Sequence, residues 1–326
     1  MLFRKDQWIE KIEKDGRQAT RWRVEDCRHD PTVTFLKLRD EHPDIRPPMV
    51  RSAVGVCINY FRNSVDDWQI QGWRSQFVDA CEAASGNFAG LPEPIDFFRI
   101  RTTDPEVPDH LRNGEPFLVY CYGGAGEVFP LQKVWDAADL GRRIKAFVYD
   151  LAYILRALHQ QGFVLRQLPL SSLRWLHSSK KYFLGEFLSL GKQGSSNFHS
   201  RIPFLTLEER YCAPECFDTA GQLTPATDVF ALGKALLMYL GRRFHARDPL
   251  VLDAVVAMNQ IDVKFRPLLP EPTVRFLKLA LQPDPGQRPQ DMNDVMALIT
   301  GRAPRPPQRP QRSARPRPED FRKPRF

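Results

Sequence analysis

One stretch constrains this chain more than any other. From Val229 to Leu240 the sequence is apolar on nearly every face of a helix. A helix without a polar face must be surrounded by other elements, so it belongs at the centre of a helical domain. Thr224-Pro225 supplies an N-cap followed by proline at the first helical position, and Gly241 marks the end. A second helix lies upstream. Ile144, Phe147, Val148, Leu151, Ile154, Leu155 and Leu158 recur at helical spacing over about five turns and stop at Gly162. Shorter helices fit Pro249 to Asn259, Thr273 to Leu281 and Gln290 to Thr300.

The first third reads differently. Thr32 to Leu38 alternates as a strand, and Ile95 to Arg101 and Phe117 to Cys121 also read as strands. Asp26 to Pro31 is turn-like and 40–50 is a Pro-rich loop, while Trp68 to Ala84 fits a helix closed by Gly86. At 326 residues the chain is long enough for two domains or one two-lobed unit. The pattern divides it into a strand-rich part, 1–121, and a helical part, 122–300. With 42% hydrophobic residues a wholly disordered chain is excluded. No apolar run reaches the roughly 18 residues of a membrane span. Met1 to Glu10 has no apolar core of a secretion signal, so a cytoplasmic location is expected.

The net charge of +8 is uneven. Residues 301–326 hold eight Arg and Lys323 against Glu319 and Asp320, and seven prolines. Such a segment cannot bury a core, so 301–326 is read as a disordered Arg/Pro-rich tail. The six cysteines form no Cys-x-x-Cys and the seven histidines are scattered, so no metal site is expected.

The second half carries a resemblance. Tyr211-Cys212-Ala213-Pro214-Glu215 resembles the Ala-Pro-Glu motif that ends the activation segment of protein kinases. Asp228-Val229-Phe230-Ala231-Leu232-Gly233 resembles the start of their buried helix F, and Pro283 to Pro289 their Asp-Pro-x-x-Arg-Pro motif. Leu158-His159-Gln160-Gln161-Gly162-Phe163-Val164 resembles the entry to the catalytic loop. Phe117 to Tyr120, then Gly123-Gly124, resembles strand 5 and the hinge. The resemblance implies an α+β, bilobal protein-kinase-like fold with a small β-rich N-lobe and a larger α-helical C-lobe. It implies a buried ion pair between Glu215 and Arg288. It also implies that Asp228 accepts backbone N–H groups of the catalytic loop.

Phosphoryl transfer needs a carboxylate near the acceptor hydroxyl, ligands for magnesium and a lysine on the phosphates. Under the resemblance the catalytic Asp position holds Gln167, the Lys position Pro169 and the metal-binding Asn position Ser172. Asp-Phe-Gly is best matched by Glu186-Phe187-Leu188, with a register one residue earlier as the alternative. From Phe163 to Gly185 there is no Asp or Glu, so no register gives this loop a carboxylate. Gln167 cannot take a proton. The glycine-rich cradle near Asp15 to Thr20 keeps one glycine. Lys37 is assigned to the strand-3 lysine, with Phe35 filling space against adenine; its helix-C partner is left open between Glu82 and position 80, an alanine.

The expectation is a pseudokinase, a regulatory or scaffolding module that binds protein partners, without phosphotransfer and with no cofactor. One alternative is an atypical kinase or ATPase that takes ATP and magnesium through Lys37 and Glu186. Another is a nucleic-acid-associated protein that binds polyanions through 302–326.

Overall fold

The computed structural model describes residues 5–11, 21–29, 33–41, 50–58, 75, 78–85, 91, 93–101, 116–121, 127–128, 139–176, 180–185, 189–195, 210–218, 220–243, 259 and 261–302. Six strands close into an antiparallel barrel: β1 (Trp8–Lys11), β2 (Arg21–His29), β3 (Val33–Glu41), β4 (Val50–Ile58), β5 (Glu93–Arg101) and β6 (Pro116–Cys121). Their order is β1-β2-β3-β4-β6-β5, and the β1–β5 pairing closes the ring. Trp22, Val24, Leu36 and Leu38 are buried, and the residues between them are only partly covered or exposed. That alternation is what one buried sheet face requires.

One expectation fails here. Asp26 to His29 is strand and not turn, paired with Thr34 to Lys37. Its polar residues read as turn because they occupy a strand with one wet face. Segment 50–58 is also a strand, one that the periodic reading does not mark. It pairs with β3 on one side and β6 on the other, so it is a central strand. Ala53 to Ile58 is a continuous apolar run without period-2 alternation, so periodicity alone does not mark it as a strand.

After a short helix over residues 78–84, labelled α1, and the two-residue strand β7 (Glu127–Val128), the chain becomes helical. The main elements are α2 (Leu140–Gln160), α3 (Pro225–Arg243), α4 (Glu271–Ala280) and α5 (Met292–Ile299). Between α2 and α3 run β8 (Phe163–Val164), β9 (Leu173–Leu176), β10 (Lys181–Leu184) and β11 (Gly191–Lys192). β8 pairs with β11, and β9 pairs with β10 and β7. The stripe on α2 is fully covered, and Phe147 meets Tyr182 edge-on at 5.1 Å and Tyr239 of α3 stacked at 5.9 Å. Every residue of α3 from Ala226 to Leu240 is buried, as its all-round apolarity demands.

The expected helix at Pro249 to Asn259 falls outside the described residues except for 259, and so does the tail from 303. The last helix begins at Met292. Asp291 caps it by accepting hydrogen bonds from the N–H groups of Asn293 and Asp294.

α3 and α4 touch at Gly233, where an added Cβ would stand 2.9 Å from the Ala280 Cβ. Neither helix backbone can yield locally. Gly233→Ala is therefore expected to destabilise by about 1–3 kcal/mol through overpacking, despite the better helix propensity of alanine. Chemical denaturation measures this, and an unchanged midpoint would contradict the close approach.

Candidate functional site: the 165–172 loop

The loop between β8 and β9 is built from below. Gly162 ends α2 with φ +81, a conformation that glycine adopts without strain. The chain then passes over the N-terminal turn of α3, where Asp228 is fully buried. Its Oδ2 accepts from the Leu165 N–H at 2.9 Å and its Oδ1 from the Arg166 N–H at 2.8 Å. His159 Nε2 lies 2.9 Å from Oδ2. A carboxylate at a helix N-terminus is favoured by the helix dipole, and here it fixes two backbone amides of the loop.

Arg166 takes φ +72, the left-handed region, with its own N–H held by Asp228. Its guanidinium is buried. Nε donates to the Ser189 carbonyl at 2.6 Å and Nη2 to the Leu190 carbonyl at 3.3 Å. Burial pulls its pKa down from the arginine range, opposed by Cys216, Cys212 and Asp228.

Gln167 follows, 6% exposed. Its Oε1 accepts from the Cys212 thiol at 3.6 Å. Pro169 is extended and leads into a 3-10 turn over Leu170–Ser172. Ser172 is buried, and its hydroxyl donates back to the Pro169 carbonyl at 2.8 Å. That hydroxyl points into its own turn. Glu186, Phe187 and Leu188 lie outside the described residues, as does the expected cradle at Asp15 to Thr20. Just before them, Gly185 packs against the Arg174 guanidinium, whose Cζ would be 3.0 Å from an added Cβ.

Glu215 and Arg288 meet in a buried, two-pronged ion pair. Nη1 to Oε1 is 2.6 Å and Nη2 to Oε2 is 2.9 Å. Arg288 also donates to the carbonyls of Ala226, Gln282 and Pro283, and lies over the Phe230 ring at 4.8 Å. One guanidinium thus joins the 214–216 turn, α3 and the segment after α4.

Lys37 is placed elsewhere than expected. With Phe117 to Tyr120 as the fifth strand and Ile95 to Arg101 as the fourth, the third is β4, and Lys37 is on the second, β3. β4 contains no lysine. The assignment failed because the alternating segment 32–38 gave a clear strand signal and 50–58 gave none. The adenine role of Phe35 falls with it. Lys37 Nζ instead lies 3.1 Å from Glu25, the extra residue of a bulge in β2. Both side chains are partly exposed, so this pair adds little stability. On α1, Ala80 is in the core and Glu82 faces Lys192 at 3.7 Å, beside Asp79 at 3.4 Å.

Two buried cations escaped sequence reasoning: Arg174, 1% exposed, and Lys234, 5% exposed. Lys234 left a signal, since it is the sole charge between Asp228 and Arg242. Among the described residues no group of three His, Cys, Asp or Glu could hold a metal ion. No helix among them is long and apolar enough to cross a membrane.

No protein-family model matches the chain, and no curated protein matches it. The fold is more informative. The solved structure of the Cydia pomonella granulovirus kinase PK-1 superposes with a TM-score of 0.52, covering 84% of this chain and 92% of that one. The fold is that of a protein kinase. At 13% identity the likeness extends to the kinase fold alone. In this kinase-like chain Asp228, His159, Glu215 and Arg288 brace the helical part, and the loop they support carries Gln167.

Proposed function

We propose that this chain is a pseudokinase: a kinase-fold module that acts by binding protein partners and does not transfer phosphate. One observation carries the reading. The loop is held in place by Asp228, yet the residue it presents at the base position is Gln167, an amide that accepts from Cys212 and cannot take a proton. The residues present do not fit magnesium nucleotide either. Ser172 turns its hydroxyl to Pro169, the 163–185 stretch offers no carboxylate, and the third strand has no lysine for the phosphates. Lys37 lies on β3 and pairs with Glu25, which argues against the atypical-kinase alternative. The basic 302–326 tail gives the module a second contact, for polyanions, whose strength falls steeply with salt.

The test is a melting curve with and without magnesium and ATP at low millimolar concentration. Selective binding to the native state raises the melting temperature, so no shift is expected. A rise of several degrees would refute the nucleotide part of the proposal. Lys37→Ala is expected to leave the curve unchanged in either case.

A further inference from the structure

The outer side of α2 carries an unbroken row of long side chains. Arg142, Lys145, Tyr149, Tyr153, Arg156 and Gln160 follow one another at steps of three and four residues, so they share one side of the helix. Tyr149 is 45% exposed and Tyr153 42%, although the apolar side of the same helix is buried. The exposed residues of α2 are cationic, aromatic or amide, with no acid among them. Asp150, on the flank, is engaged by the Tyr182 N–H at 3.1 Å.

Neighbouring groups hold this row in place. Asp139, just before the helix, accepts from Arg142 at 2.7 Å. The Arg156 guanidinium stands over the Tyr153 ring at 5.0 Å and donates to Asn293 Oδ1 of α5 at 3.1 Å. α5 therefore starts beside the C-terminal half of α2. Its far end, Gly301, lies against Pro272, and Gly141 at the start of α2 lies against Pro270. α5 thus runs back along α2 toward Arg142. Segment 302–326, with its eight Arg and Lys323, begins at that end of the row.

We propose that this face of α2 binds single-stranded nucleic acid. Tyr149 and Tyr153 stack on two unpaired bases, and Arg142, Lys145 and Arg156 meet the phosphates beside them. Cations interleaved with accessible rings match a polyanion whose bases offer π-faces, and such stacking tolerates any base. Rings four residues apart stand about 6 Å apart along the axis, which leaves room for one base on each. A duplex hides its base faces and meets only the charges. The inference rests on the polyanion contact proposed for 302–326 and adds a base-stacking part on the fold itself.

The experiment measures fluorescence anisotropy of a labelled oligothymidylate of about 15 nucleotides with the full chain. A duplex of equal length and heparin serve as polyanions without accessible bases. The full chain is expected to bind the oligothymidylate, and more weakly as salt rises. Tyr149→Ala with Tyr153→Ala should bind it at least about tenfold more weakly. The same variant should hold duplex and heparin as wild type does. Tyr149→Phe with Tyr153→Phe keeps the rings and should match wild type. Lys145→Gln, at an exposed position, should lower the salt slope by about 0.7. A melting curve like that of wild type shows that each variant is folded. Unchanged oligothymidylate affinity in the alanine variant, or an equal loss of heparin binding, overturns the inference and leaves the polyanion contact of 302–326 standing. Failure of the full chain to bind any of the three overturns both. Competition by polyglutamate as strong as by oligothymidylate would make this a site for acidic peptides, and also overturns the inference. The pseudokinase reading is decided separately, by phosphotransfer.

Discussion

Arg288→Ala is expected to cost about 3–5 kcal/mol of stability, because it leaves Glu215 as an uncompensated charge in a buried position. For a chain of this size that corresponds to a melting temperature lower by roughly 4–8 °C. The loss exceeds one ion pair. The guanidinium also satisfies the carbonyls of Ala226, Gln282 and Pro283, and its face covers Phe230. Arg288→Lys should recover little, since an ammonium cannot grip both carboxylate oxygens and reach three carbonyls at once. Glu215→Ala should also destabilise, and the double variant should be less damaged than the two single losses added together. Calorimetric melting of the four proteins tests this. Additive losses would mean that the pair does not act as a unit.

Phosphate incorporation by Gln167→Asp should remain indistinguishable from that of wild type, both at background. The substitution restores one carboxylate to a loop already held by Asp228, so the failure would not come from a misplaced backbone. It comes from what remains missing. Under the kinase resemblance Pro169 stands at the lysine position, and Ser172 keeps its hydroxyl on the Pro169 carbonyl. The third strand brings no lysine. Groups that act as one catalytic unit are strongly non-additive, so one repair returns almost nothing. Positioning and charge stabilisation provide nearly all the catalysis of this reaction, so the deficit spans many orders of magnitude. Radiolabelled transfer to a generic basic protein and to the chain itself makes the comparison. Robust incorporation by wild type would overturn the pseudokinase reading.

The helical part was legible because its signals are local and periodic. The stripe from Ile144 to Leu158 and the all-apolar run from Val229 define α2 and α3 with ends off by a few residues. Motif spacing also placed Asp228 under the loop and Glu215 near Arg288, where the structure brings each pair together. The barrel was less legible. The apolar run Ala53 to Ile58 lacks the polar–apolar alternation that marks a half-wet strand, and without β4 the strand count slipped by one. Lys37 was misassigned for that reason alone. Lys234 was overlooked because its helix reads as core, and one charge among apolar neighbours is averaged away by any periodic reading.

Arg166 has a further consequence. In kinases the ordering of the activation segment can be conferred from outside, when a phosphate on that segment finds an arginine. Here the Arg166 donors already hold the carbonyls of Ser189 and Leu190. A phosphate arriving later would have to break contacts made when the chain folded. The tie between the 165–172 loop and the 189–190 segment is thus made by the fold itself, from one buried side chain to two carbonyls.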